Sequence, residues 1–370
     1  RVKMVEWLAG NRLRGTTAER PNLSLQTTGG WKELARTTLG SNTAPITVSS
    51  IPDKRYYMIL AHNIASGNVN WNFRVGTGGT LDTGSNYADR HSQNGAGDNT
   101  TAPANRWGDF LGNQAKDRFT QLYISNLSGK EKLMIGHVAD RGTSTGASSA
   151  PERVEVVGKW TNTSLIDILS LQDDGSDNMG TGSEMVVLGW DPADTHTSNF
   201  WEELVDTSWS SGSSVETSAF ATKKYLWYQG WFKTGGSMSG SYSALQVGSG
   251  GTISTSGYTE RYSINGAGNA TEINKSNMYG LVGQGNDGSG NELTYINGFI
   301  INNSANEKLL ISDAVGFNPT TGSGTGSAPK RTQGVGKWVT TGSQINKMKI
   351  LSAAGSGAWV GGQLKVWGSD

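Results

Sequence analysis

The chain has 370 residues, with 31 Lys and Arg balanced by 31 Asp and Glu, and no cysteine. A formal net charge of zero excludes the positive field that holds proteins on nucleic-acid phosphates. The missing thiols exclude disulfides, thiolate zinc sites and a cysteine nucleophile.

Residues 1–30 read as an N-terminal arm. Met4-Val5-Glu6-Trp7-Leu8-Ala9 is either one helical turn or a short strand, limited by Gly10 and Gly15. So short a segment has nothing of its own to bury against. Met4, Val5, Trp7 and Leu8 are therefore the expected assembly anchors, docking on their own domain or on a neighbouring subunit.

From Trp31 onward one pattern is written twice. Trp31-Lys32-Glu33-Leu34 returns as Trp201-Glu202-Glu203-Leu204, and Tyr87-Ala88-Asp89-Arg90 as Tyr258-Thr259-Glu260-Arg261. Asn94-Gly95-Ala96-Gly97 returns unchanged at Asn265, Glu131-Lys132-Leu133 at Glu307, and Gly158-Lys159-Trp160 at Gly336. The offset drifts from 170 residues at Trp31/Trp201 to 178 at Trp160/Trp338. A period of this size is a domain and not a solenoid unit. The expected organisation is the arm, a first domain at 31–191, a linker at 192–200 and a second domain at 201–370.

In the first domain Ile46-Thr47-Val48 alternates and stops at Pro52. Tyr56 to Ala61 is continuously apolar, the mark of a strand buried on both faces. Asn70 to Val75 alternates strictly, as a half-buried strand does. Phe119 to Ile124, Lys132 to Ile135, Arg153 to Val157, Leu165 to Leu171 and Met185 to Leu188 complete a set of about eight strands. In the second domain the runs are Tyr225 to Phe232, Ala244 to Val247, Leu293 to Ile301, Lys308 to Ile311, Ile345 to Leu351 and Gln363 to Trp367. Phe200 to Val205 is the one stretch with helical character. Asp191-Pro192 starts a turn, and so short a linker predicts domains set side by side. With 52 Gly and 13 Trp, the reading is all-β: two tandem homologous jelly-roll-like β-sandwich domains with an N-terminal arm. A concanavalin-like sandwich is the nearest competitor.

Few constellations carry chemistry. Asp173, Asp174 and Asp177 are the densest acidic group and a weak calcium candidate, read against a solvated hairpin tip. His62, His91, His137 and His196 lack the spacing of metal ligands and read as surface or loop residues. Trp227 and Trp231 are weak sugar-stacking candidates, with core packing as the default. Asn94-Gly95-Ala96-Gly97 lacks the context of a phosphate loop and reads as a positive-φ turn. Seven Asn-x-Ser/Thr sequons, including Asn126 and Asn302, are about the number that chance yields in a chain this rich in Asn, Ser and Thr, and they mark surface loops only if the host glycosylates. Neither a nucleophile–base pair nor a carboxylate pair repeats, so no catalytic residue and no cofactor is expected. An enzyme of the glycan-cleaving kind comes last.

Gly182 to Pro192, with the Gly158-Lys159-Trp160 before it, resembles repeats in structural proteins of marine viruses and phages. Val5 to Arg12 is similar to the opening of such proteins. Two fused sandwiches also resemble the double jelly-roll capsid architecture, whose trimers form pseudo-hexagonal capsomers. The resemblance implies a virion or extracellular protein, capsid or fibre. Its partners would be itself (a homo-oligomer, in the capsid case a trimer) and other structural subunits. Neither direct nucleic-acid binding nor a membrane span is expected. Two alternatives stay open: a carbohydrate-binding adhesin or receptor-binding fibre on a cell-surface glycan, and an extracellular filament subunit whose arm adds a strand to a neighbour's sheet.

Overall fold

The computed structural model describes residues 7–8, 12–13, 30–108, 115–173, 177–194, 199–235, 243–283, 293–316, 328–352 and 358–370. Every strand pairing among them is antiparallel, and no helix occurs among them. The arm holds β1 (Trp7–Leu8) and β2 (Arg12–Leu13), paired as a minimal hairpin, Trp7 opposite Leu13. Met4 and Val5 lie outside the described residues.

The first half contains β3 (Lys32–Thr38), β4 (Ile46–Ser49), β5 (Tyr56–Asn63), β6 (Trp71–Thr77), β7 (Thr80–Leu81), β8 (Tyr87–Gln93), β9 (Asn99–Ala104), β10 (Trp107–Gly108), β11 (Arg118–Ser125), β12 (Lys132–Asp140), β13 (Glu152–Trp160), β14 (Ile168–Asp173) and β15 (Glu184–Trp190). They form a large sheet in the order β3-β15-β5-β11-β12-β13-β8-β9. A small sheet runs β10-β6-β14-β4, with β7 on β6.

The second half contains β16 (Glu202–Trp209), β17 (Ser214–Glu216), β18 (Tyr225–Gly235), β19 (Ser243–Ser249), β20 (Thr252–Ile253), β21 (Tyr258–Ile264), β22 (Ala270–Lys275), β23 (Leu293–Ile301), β24 (Lys308–Gly316), β25 (Lys330–Trp338), β26 (Lys347–Ser352) and β27 (Ala358–Ser369). Its large sheet, β16-β27-β18-β23-β24-β25-β21-β22, repeats the connectivity of the first strand for strand. Its small sheet is β17-β26-β19-β20. The architecture is two jelly-roll-like β-sandwiches. Phe200 to Val205 is not helical: β16 takes Glu202 onward, because pairing with β27 outweighs a weak helical pattern.

Three cores fill the molecule, and β5 shows how. Tyr57, Ile59 and Ala61 point into the first sandwich, while Met58 and Leu60 point the other way. They enter a middle core with Phe119, Val186 and Leu188 from the first large sheet, and Tyr225, Phe299, Ile301, Leu309, Ile311, Val335 and Trp367 from the second. The two sandwiches are thus not side by side. Their large sheets pack on each other, giving the layer order small, large, large, small. This is why the Tyr56 to Ala61 run reads as apolar throughout.

The seam between the large sheets is also polar. Glu184 accepts from the Tyr225 hydroxyl at 2.8 Å and pairs with Lys224 at 3.0 Å. The Lys337 ammonium donates to the Arg141 and Ser144 carbonyls at 2.7 and 3.2 Å, and Arg261 Nε donates to the Pro151 carbonyl at 2.8 Å. Phe200 N donates to the Trp31 carbonyl at 2.8 Å, tying the start of one sheet to the other.

Candidate interaction surfaces and the seam cleft

The repeated motifs are largely structural. Tyr87 and Tyr258 are buried, and each hydroxyl bridges a backbone N–H and carbonyl of the facing small sheet, at Val75 and Val247. Arg90, three residues on, points outward and meets Asp98 at 3.5 Å, while Arg261 reaches across the seam. Asn94-Gly95 and Asn265-Gly266 all have positive φ. In both turns the Asn Oδ1 accepts from the amide of an arginine, Arg153 at 3.0 Å and Arg331 at 2.9 Å. Trp160 and Trp338 are buried in their cores.

The second residue of each Glu-Lys-Leu repeat is a buried lysine ringed by carbonyls. Lys132 Nζ donates to the carbonyls of Leu127, Lys130 and Thr163. Lys308 Nζ donates to those of Ser304, Asn306 and Thr340. Burial pushes the Lys308 ammonium down to about 8.

Two sequons are not surface loops. Asn126 and Asn302 are buried at matching positions just after β11 and β23. Asn302 Oδ1 accepts from Ile345 N at 2.6 Å, and its Nδ2 donates to the Lys223 and Ile345 carbonyls at 2.9 and 3.0 Å. Asn126 does the same with Ile166 N and the Lys54 carbonyl. Their presence in both halves was the signal that an amide clamp, and not a glycan acceptor, was being kept.

The acidic group is engaged by the backbone. Asp173 accepts from Asn70 N and Asp177 N at 2.6 and 3.1 Å, and Asp174 lies outside the described residues. Among the described residues no three His, Asp or Glu side chains are gathered as metal ligands. Trp227 is packed among Trp201, Phe299 and Trp367 and donates to Asn297 at 2.8 Å. Trp231, on the same strand, is exposed.

The histidines need correcting. His62, His91 and His137 sit on strands, and the first two are buried; His196 lies outside the described residues. His91 meets Asp89 at 3.2 Å and His137 meets Asp313 at 3.7 Å. Both ring nitrogens of His62 lack a hydrogen-bond partner among the described residues. Burial pushes this imidazole down to about 4, against weaker opposing pulls from Asp117 and Glu184. The unfolded chain takes up the proton near pH 6.5 and the folded one near 4, so stability is lost as pH falls through that window. The loss reaches about 3 kcal/mol. Urea midpoints at pH 7 and pH 4.5 should separate accordingly, and His62→Leu should narrow the gap. An equal gap in the variant would remove His62 as the source.

The seam leaves part of each large sheet uncovered. Strand register makes Leu133, Ile135 and Val157 the counterparts of Leu309, Ile311 and Val335. The first three are 59%, 54% and 47% exposed, and their counterparts 1%, 3% and 1%. The reverse holds on the other half. Tyr295, Val315 and Trp231 are exposed, whereas their counterparts Phe119, Ala139 and His62 are buried. Beside Leu133 and Ile135 lies an apolar groove of about 390 Å³ lined by Trp31, Tyr56, Tyr123 and Trp190, with Tyr56 stacked on Trp190 at 5.3 Å.

A second cleft, of about 430 Å³, opens on the seam itself. The first half contributes Arg90, Arg153, Glu155, Ile135 and Val157, and the second Arg331, Gln333 and the Gly266 turn.

No family model matches this chain, and no curated protein matches it. Among solved structures it is similar to the LG1-3 region of the laminin alpha2 chain, at 9% identity and a TM-score of 0.20. That alignment covers 88% of this chain and 64% of the laminin region. Domains LG4-5 of the mouse laminin alpha1 chain give 11% identity and a TM-score of 0.19, over 91% of this chain and 84% of that one. At such scores neither likeness carries an argument, and the sandwich architecture stands on the sheets and cores above.

Proposed function

We propose that this chain is a non-catalytic structural assembly protein, a capsid or fibre component of a virion, acting by association with copies of itself. The reading is carried by the uneven seam. Every chain buries one set of residues from its first large sheet against one set from its second. It leaves the strand-for-strand counterparts of both sets in solvent. Apolar residues grouped on a sheet face mark interaction sites, and these continue an interface already used within the chain. A second copy is the occupant that brings the matching surface. An interface whose two sides differ is heterologous, so repeating it gives rings or filaments. Zero net charge removes long-range repulsion between like subunits.

Light scattering and negative-stain microscopy on the purified chain test this. Rings, shells or filaments are expected. Ile135→Asp and Tyr295→Asp should each stop growth, weakening association at least about a hundredfold, near 3 kcal/mol. Mixed together they should form a capped dimer, because each keeps the side the other has lost. A wild-type monomer at high concentration would overturn the reading.

One alternative has an observation of its own. The aromatic groove at Trp31, Tyr56, Tyr123 and Trp190 offers ring faces of the kind that stack on sugars. A carbohydrate-binding adhesin or receptor-binding fibre would lose glycan-array binding in Trp190→Ala.

A further inference from the structure

The seam cleft holds a cation that, among the described residues, has no partner. In the first half Arg153 is buried and ion-paired: its Nε lies 2.7 Å from a Glu155 carboxylate oxygen, and its Nη1 donates to the Gln333 carbonyl at 2.5 Å. The counterpart of Arg153 is Arg331, and the counterpart of Glu155, two residues along the strand, is Gln333. The acid that satisfies the first arginine is thus a neutral amide beside the second. Arg331 is exposed, and among the described residues its guanidinium makes no hydrogen bond or ion pair. It lies against the Gly266 turn, where an added Cβ would sit 3.2 Å from Nη2. Arg90, which also lines the cleft, is held among the described residues by Asp98 alone, at 3.5 Å, with both side chains more than half exposed. Asp313, the other acid nearby, is turned toward His137.

We propose that this cleft binds a carboxylated sugar, with Arg331 and Arg90 taking the carboxylate. A planar guanidinium matches a carboxylate in bidentate fashion, and two from different strands fix its orientation. In the same cross-strand row as Arg90, Val157 and Ile135 supply an apolar surface for the C–H face of a pyranose ring. The Ser92 and Ser263 hydroxyls, which donate to Ala96 and Ala267, keep lone pairs for sugar hydroxyls, and the Gln333 amide adds donors and an acceptor. A volume of about 430 Å³ suits one or two sugar rings. The site exists only because the two sandwiches meet, and neither half holds it alone. It shares Ile135 and Val157 with the self-association face proposed above, so a second copy and the sugar would compete for them.

D-glucuronate is the probe, with D-glucose and acetate as controls, titrated into the full chain and followed by amide chemical shifts of the Gly266 turn. Saturable shifts with glucuronate, and weaker ones with both controls, are expected. Arg331→Gln should weaken binding at least about tenfold, and Arg331→Lys should fall between, keeping the charge and losing the fork. Neither substitution removes a side-chain hydrogen bond or ion pair among the described residues, so an unchanged amide spectrum without ligand shows that the fold is intact. No saturation by about 20 mM glucuronate, equal binding of glucose or acetate, or undiminished binding to Arg331→Gln would each overturn the proposal.

Discussion

Replacing Asn302 with alanine is expected to cost about 3–5 kcal/mol of folding stability, read as a lower urea midpoint with an unchanged slope. The side chain is fully buried and serves three backbone groups of two loops. Each group left without a partner in the interior costs about 1–3 kcal/mol, and no water replaces the amide in so closed a site. Asn302→Asp keeps the acceptor for Ile345 N but turns a carboxylate toward two carbonyls, so it should be no milder. Asn126→Ala should cost a similar amount, since it joins the corresponding loops of the first sandwich. A loss below about 1 kcal/mol in both variants would mean that the loops are held by other means. The same geometry forbids an oligosaccharide at either asparagine in the folded chain.

Glu184→Ala is expected to be as costly, about 3–5 kcal/mol, because it breaks a buried charge network and leaves cations behind. The carboxylate takes Thr38 and Arg36 from its own sheet and Lys224 and Tyr225 from the other. Burial alone would raise this carboxyl, but the bonds from Thr38, Lys224 and Tyr225 override it and hold it below its ordinary 4.5. A depressed acid stabilises above its unfolded value, so this contribution disappears as pH falls below about 4.5. It therefore adds to the acid sensitivity from His62. Glu184→Gln keeps the shape and one acceptor and should lose less, about 1–2 kcal/mol. The counterpart position on β27 is Gln363. Amide exchange should rise selectively along the seam, at Tyr225 and Trp201. Loss confined to the first sandwich would show that Glu184 does not join the halves.

Much of the sheet pattern was legible because each strand answers to two local rules, alternation and turn chemistry. Of the alternating stretch Asn70 to Val75, Trp71 onward lies on β6, although Asn72 is buried too and the strand is not half-exposed. The Asn-Gly turns carry their positive φ in the residue types themselves. The seam was not legible, since a residue facing a second sheet looks the same in sequence as one facing a core. Leu133 and Leu309 sit in the same repeated triplet, and only the placement of the other sandwich decides that one is covered. The histidines were misread for a related reason. His62 belongs to a run that faces both cores in turn, and its chemistry alone suggested the surface. Arg331 could have been singled out beforehand, because Arg153-Val154-Glu155 against Arg331-Thr332-Gln333 shows an acid lost beside a retained arginine.

The strand order also sets a timetable. In each large sheet the strand latest in sequence, β15 or β27, is inserted between the earliest, β3 or β16, and its neighbour β5 or β18. A chain emerging from the ribosome can thus complete its first sandwich while the second still lacks β27. Until that strand arrives, β16 and β18 have no common neighbour, and the finished face of the first sandwich, with Met58, Leu60 and Phe119, stands open. Pairings that span so much sequence form slowly. The newborn protein therefore passes through an interval in which its own unfinished half competes with neighbouring chains for the same apolar face, and crowding on a polysome would favour the wrong partner.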